Sequence, residues 1–130
     1  MTSKADQIAE LQDLTGLALR ALQTEMHRLS AKEQALRQNL SDLTAQRATQ
    51  GMRAADDPAL IAGADLRWQQ WVDQRRAMVN MELAQVLALM ANCQQRLQRA
   101  FGRDQVALSI AAQALRDRQT RTDRAALYES

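Results

Sequence analysis

A seven-residue recurrence of apolar side chains runs through most of this chain and restricts it to helices laid side by side. Ile8, Thr15, Leu22, Leu29, Leu36 and Leu43 stand seven apart, with Leu11, Ala18, Leu19, Met26 and Leu40 on neighbouring positions. A helix returns nearly the same face every seven residues, so this set forms one leucine-rich seam. In the second half Val72, Val79, Val86, Cys93, Ala100, Ala107 and Ala114 stand seven apart, and Leu83, Met90 and Leu97 fill the intermediate places. From Val79 to Ala100 the steps alternate four and three, the pattern of a left-handed coiled coil. Beyond Leu97 a second series, Phe101, Leu108 and Leu115, takes up the spacing, so Cys93, Leu97 and Phe101 are separated by four and four. That predicts a change of phase, a stutter that locally unwinds the supercoil.

Composition agrees with helices and excludes most alternatives. Only 3% of the 130 residues are aromatic, and a single Pro and four Gly cannot punctuate a many-turned sheet fold. Ala, Leu, Gln and Arg dominate, residues with little to lose in a helix. The length predicts one domain, 1–130. No window approaches the roughly 20 apolar residues that span a bilayer, and nothing after Met1 resembles a secretory signal, so a cytoplasmic protein is expected. Gly16 and Gly102 fall inside the periodic stretches and read as tolerated helix residues.

Between the two periodic stretches lie Gly51 and Asp57-Pro58, a helix stop and a helix start, and then Gly63 and Asp65, a second possible start. The fold class that follows is all-α: helix 4–50, turn 51–64 and a longer helix 65–126, forming an antiparallel coiled-coil hairpin. At 1.5 Å per residue the helices are roughly 70 and 90 Å long. Residues 58–64 are either a separate short helix or part of the second helix. A register that keeps paired residue numbers adding to 115 sets Leu43 on Val72, Leu36 on Val79, Leu29 on Val86, Leu22 on Cys93 and Ile8 on Ala107. The last part of the second helix then has no partner within the chain. The same heptads could also assemble a homodimer or a larger bundle.

Catalysis needs convergent groups, and these heptads supply none. His27 has no Cys, Ser or carboxylate constellation around it, there is no phosphate loop, and one Cys cannot build a zinc site. No catalytic residue, metal or cofactor is expected, nor a small-molecule substrate. Cys93 stands on the seam and is explained by packing.

Three surface features remain. Trp71, Arg75, Met78 and Glu82 follow helical spacing one position away from the seam, together with Trp68, and exposed Trp with Arg and Met is the composition of an interface hot spot. Trp68 is expected to fold onto Leu40, Leu43 or Leu60 instead. In the last third, Arg96, Arg99, Arg103, Arg116, Arg118, Arg121 and Arg124 face four acidic residues, three net positive charges. No aromatic interleaving or DNA-reading motif accompanies them, so nucleic acid is not expected, and the face is either solvated or meets an acidic protein. Finally, Leu115 and Leu127 alternate with Arg along an unpartnered end that suits a protein groove better than lipid.

The stretch Trp68-Gln69-Gln70-Trp71-Val72-Asp73-Gln74-Arg75-Arg76-Ala77-Met78-Val79 resembles the start of the second helix in the stalk or escort proteins of flagellar type III export, the FliJ-like family, and their injectisome counterparts. Elsewhere only size and heptads match. The resemblance implies a non-enzymatic part of a protein export apparatus, cytoplasmic and peripheral to the inner membrane when assembled. Its implied partners are a hexameric export ATPase, the cytoplasmic part of a membrane export gate protein, and export chaperones. It implies that Trp71, Arg75, Met78 and Glu82 face the gate, although Arg75 and Met78 stand where the family carries apolar or small residues. It also implies that the paired terminal ends enter the ATPase ring, which selects Arg96, Arg99, Phe101, Arg103, Arg116, Arg118, Arg121 and Arg124 by position and charge. The competing expectation is a general coiled-coil scaffold or oligomeric adaptor unrelated to export.

Overall fold

Backbone amides at the two helix starts are satisfied locally, which fixes where each helix begins. In the computed structural model, which describes residues 3–56 and 63–129, the Asp6 amide donates to Ser3 Oγ at 3.1 Å and the Ser3 amide to Asp6 Oδ2 at 3.4 Å. This reciprocal cap opens α1, Lys4–Asp56. Gly63 precedes α2, Ala64–Glu129, with φ of 132° and its carbonyl accepting from the Arg67 amide at 3.1 Å. Any side chain at Gly63 would strain that backbone. The two helices pack against each other as an antiparallel hairpin, the second the longer.

The expected stop at Gly51 does not occur. Gly51 is helical and α1 continues to Asp56, so the expected turn 51–64 is shorter. Arg47 and Gln50 extend the four-three steps of the seam and are half-buried against α2, which offsets the roughly 1 kcal/mol a helical glycine costs. Asp57-Pro58 and Leu60 lie outside the described residues, as does the question of a short helix at 58–62.

The hairpin divides into two compact units, Met26–Asn92 and Met1–Glu25 with Cys93–Ser130. In the first, Leu36, Leu43, Val72, Val79, Leu83 and Val86 form one buried cluster, and Leu40, Trp68 and Met90 pack on it. Leu29 is also buried, at 2% exposure. Each such side chain taken from water contributes about 1.5–3 kcal/mol. The Arg47 guanidinium meets the Asp73 carboxylate at 2.7 Å across the helices, an exposed pair of little energetic weight.

The second unit has a smaller seam. Cys93, Ala100 and Ala107 are buried, and Ile8, Leu19, Leu22, Leu97, Ala111 and Ala114 are partly buried. Cys93 Sγ donates to the Leu22 carbonyl at 3.6 Å, the pair expected to meet. Here the predicted stutter is wrong. Phe101, Leu108 and Leu115 are 54%, 46% and 67% exposed, whereas Ala100 and Ala107 are buried, so the steps Cys93, Leu97, Ala100, Asp104, Ala107, Ala111, Ala114 alternate four and three without interruption. Alanine lets the helices approach closely, and the polar member of the series is satisfied. Thr15 Oγ1 donates to Asp104 Oδ1 at 3.0 Å, with the Gln12 carbonyl 3.2 Å away as a second acceptor. The register expected from the leucines sets Thr15 on Ala100; its bonded partner is one turn further on.

Candidate functional site

Because the seam of α2 is set by Val72, Val79 and Val86, every residue one position before it points sideways, away from the partner helix. Trp71 and Met78 occupy two such positions and are 54% and 55% exposed, and Arg75 and Glu82 stand exposed between and beyond them. Trp71, Arg75 and Met78 line one shallow groove with Gln74. The four residues expected to share a face therefore do so. Trp68, three residues earlier, is half-buried on the core cluster that contains Leu43 and packs with Leu40, as expected of it. The two tryptophans thus divide the work: one closes the apolar end of the seam and the other presents about half of its surface to solvent.

Continuing the same steps of three and four from Glu82 leads through Gln85 to Leu89, which is exposed and extends this face. Sequence reasoning stopped at Glu82 and missed it, although the spacing alone was sufficient to find it. A large flat aromatic beside a thioether and a guanidinium supplies rigid contact area and forked hydrogen bonding, which suits association with another protein surface.

The basic residues of the last third fall into two groups, as their positions along α2 require. Arg96, Arg99 and Arg103 line a groove with Ala18, Ala21, Leu22 and Glu25. Phe101 lies two residues from both Arg99 and Arg103, about 200° around the helix, and does not share their side. Arg118 and Arg121 line a separate groove with Lys4, Ala5, Ile8 and Ala9 near the start of α1. Arg116 bonds the neighbouring Gln113 side chain at 2.7 Å and Arg121 the Asp117 carbonyl at 3.4 Å, so part of this charge is engaged within its own helix. From Leu115 to Glu129, including Arg124 and Leu127, every described residue is exposed. His27 is exposed and Cys93 buried.

Among the described residues, no group of three or more His, Cys, Asp or Glu is placed to hold a metal ion, and no helix is long and apolar enough to cross a membrane. Compared with protein-family models, with characterised proteins and with solved structures, the chain matches none.

Proposed function

We propose that this chain is a non-enzymatic stalk or escort component of a flagellar-type protein export apparatus, working by association with other proteins in the cytoplasm. The observation that carries the reading is the exposed Trp71, Arg75, Met78 and Glu82 face on a helix whose own seam is already buried within the hairpin. Its sequence context, Trp68 to Val79, is where the resemblance to the FliJ-like family lies. In this account the Trp71 face docks on the cytoplasmic part of a membrane export gate, and Trp71 is the anchor because a buried indole removes the most apolar area. Arg75 and Glu82 then set orientation through charge.

The basic residues of the Cys93–Ser130 unit meet the export ATPase, with Arg96, Arg99 and Arg103 as one contact and the exposed Arg116 to Arg124 end as another. Nucleotide hydrolysis stays with the ATPase; the hairpin couples ring and gate and receives export chaperones. Assembly brings the otherwise cytoplasmic protein to the face of the inner membrane. A coiled-coil adaptor with unrelated partners is the competing account, and the two separate in one experiment. The export account predicts that tagged protein captures an ATPase and a gate protein, and that Trp71→Ala loses the gate while keeping its helicity. Capture of neither, or a Trp71→Ala protein that unfolds, contradicts it.

A further inference from the structure

Within the unit formed by Met1–Glu25 and Cys93–Ser130, one flank joins open apolar surface to unpaired cations. On α2, Arg96, Arg99, Arg103, Val106 and Ile110 follow steps of three and four beside the seam, and on α1 Leu11, Leu14, Ala18 and Ala21 do the same. Two stretches of groove run between them and share Arg99 and Arg103. Ala18, Ala21 and Ala100 line the first, and Leu11, Gly102 and Val106 the second. Leu11 and Val106 are 39% and 59% exposed, and nothing stands within 4 Å of the place a Cβ would take at Gly102. Arg96, Arg99 and Arg103 make no ion pair with another described residue. Carboxylates border the flank sparsely: Glu25, itself engaged, lines the Arg96 end, and Glu10 stands outward of Leu11. Asp104 belongs to the seam and accepts from Thr15, and Asp117, past Ile110, accepts from Gln113.

We propose that this groove is the docking site for an amphipathic helix of another protein, which lays an apolar stripe on Leu11 and Val106 and sets carboxylates on Arg96, Arg99 and Arg103. Charge and apolar surface select that occupant together. From Arg96 to Val106 the flank runs about 15 Å, some three turns of a helix laid alongside. Arginines at steps of three and four match Asp or Glu at the same steps on the docked helix, each guanidinium fork taking a carboxylate. A second copy docking symmetrically would bring arginine rim against arginine rim. Nucleic acid would reach the arginines, but no aromatic ring lines the groove for a base to stack on, and Leu11 and Val106 would lie under sugar and phosphate. In the export account these three arginines meet the ATPase; the inference rests on that account only in treating the flank as a contact.

Fluorescence anisotropy tests it, with the full chain titrated to about 200 µM into a labelled helical peptide of about 20 residues. The peptide carries Leu at alternating steps of three and four with Glu beside each; one control replaces Glu with Lys and another replaces Leu with Ser. The Glu peptide binds wild type with a micromolar Kd, and each control binds about tenfold more weakly or worse. Gly102→Leu has room for its side chain and improves helix propensity, so it keeps the fold while filling the groove and weakens binding about tenfold. Arg99→Glu combined with Arg103→Glu reverses the preference to the Lys peptide, whereas Phe101→Ala, on the opposite side of α2, changes nothing. All variants keep the helical signal of wild type. Absence of saturable binding, equal binding of either control peptide, or unchanged binding by Gly102→Leu overturns the proposal. A dimer of the chain alone that the paired Arg99→Glu and Arg103→Glu changes dissociate gives the groove to a second copy and also overturns it. Peptide binding without capture of an ATPase from lysate leaves this inference standing and removes the export account; ATPase capture without peptide binding does the reverse.

Discussion

Leu29→Asp places a carboxylate at a seam position that is 2% exposed, and its cost follows from two additive losses. The leucine side chain forfeits its transfer from water, about 2–3 kcal/mol. The new charge is buried without a partner, which costs roughly 3–5 kcal/mol more. A total of at least about 5 kcal/mol is comparable to the whole stability of a small domain, ~5–15 kcal/mol. For a chain of this length 1 kcal/mol moves the melting temperature by about 3–5 °C, so Leu29→Asp melts at least ~15 °C lower or has lost most of its helix at 25 °C. Leu29→Ala, which leaves a cavity and no charge, falls between, at about 2–5 kcal/mol. The control is Leu89→Asp, the same change on an exposed position, which stays within ~3 °C of wild type. Thermal melts followed by circular dichroism at one protein concentration read all three. If Leu29→Asp and Leu89→Asp melt together, the seam is not where burial places it and the hairpin packing described here is wrong.

Three further outcomes follow from the packing. Amides of residues 29–47 and 68–90 exchange more slowly than those of 8–22 and 95–114, because one unit buries Leu and Val where the other buries Cys93, Ala100 and Ala107, at about 0.8 kcal/mol per methylene; equal protection refutes this. A double-mutant cycle of Thr15→Val and Asp104→Ala shows a coupling of about 1 kcal/mol for their 3.0 Å hydrogen bond, and a coupling of zero means the polar layer is not formed in solution. Acrylamide quenches Trp71 in the Trp68→Phe protein more strongly than it quenches Trp68 in the Trp71→Phe protein; the reverse order exchanges their assigned roles.

What the sequence made legible was whatever large apolar residues announce by spacing. The leucine and valine places at 29, 36, 43, 72, 79 and 86 are all buried, and Trp68 and Trp71, three residues apart, are separated correctly because only one shares the seam's flank. The reading failed where size and phase disagree. Phe101 and Leu108 are larger than Ala100 and Ala107, so a search for apolar bulk follows the wrong pair, while the phase inherited from Cys93 follows the right one. Ala100 and Ala107 are buried there because the four-three steps continued from Cys93 place them on the seam, and Asp104 is tolerated because Thr15 lies within hydrogen-bond reach. The Arg47–Asp73 pair depends on the register of two helices and cannot be read from either alone. That Trp71, Arg75, Met78 and Glu82 share one exposed side of α2 was legible from spacing, and the continuation of that side to Leu89 needed only the same steps carried further. Of the eight residues selected by position and charge, Arg96, Arg99 and Arg103 share a side as their spacing requires, and about 200° separates Phe101 from its neighbours Arg99 and Arg103.

The central claim is that an exposed tryptophan face on a self-sufficient hairpin joins this chain to an export apparatus. Tagged wild type and Trp71→Ala protein, matched in helicity, are used to capture partners from nuclease-treated lysate of the native cells, and the bound proteins are identified by mass spectrometry. The account predicts an export ATPase with both baits and a membrane gate protein with wild type alone. Capture of neither protein by wild type, or equal capture of the gate by Trp71→Ala, contradicts it.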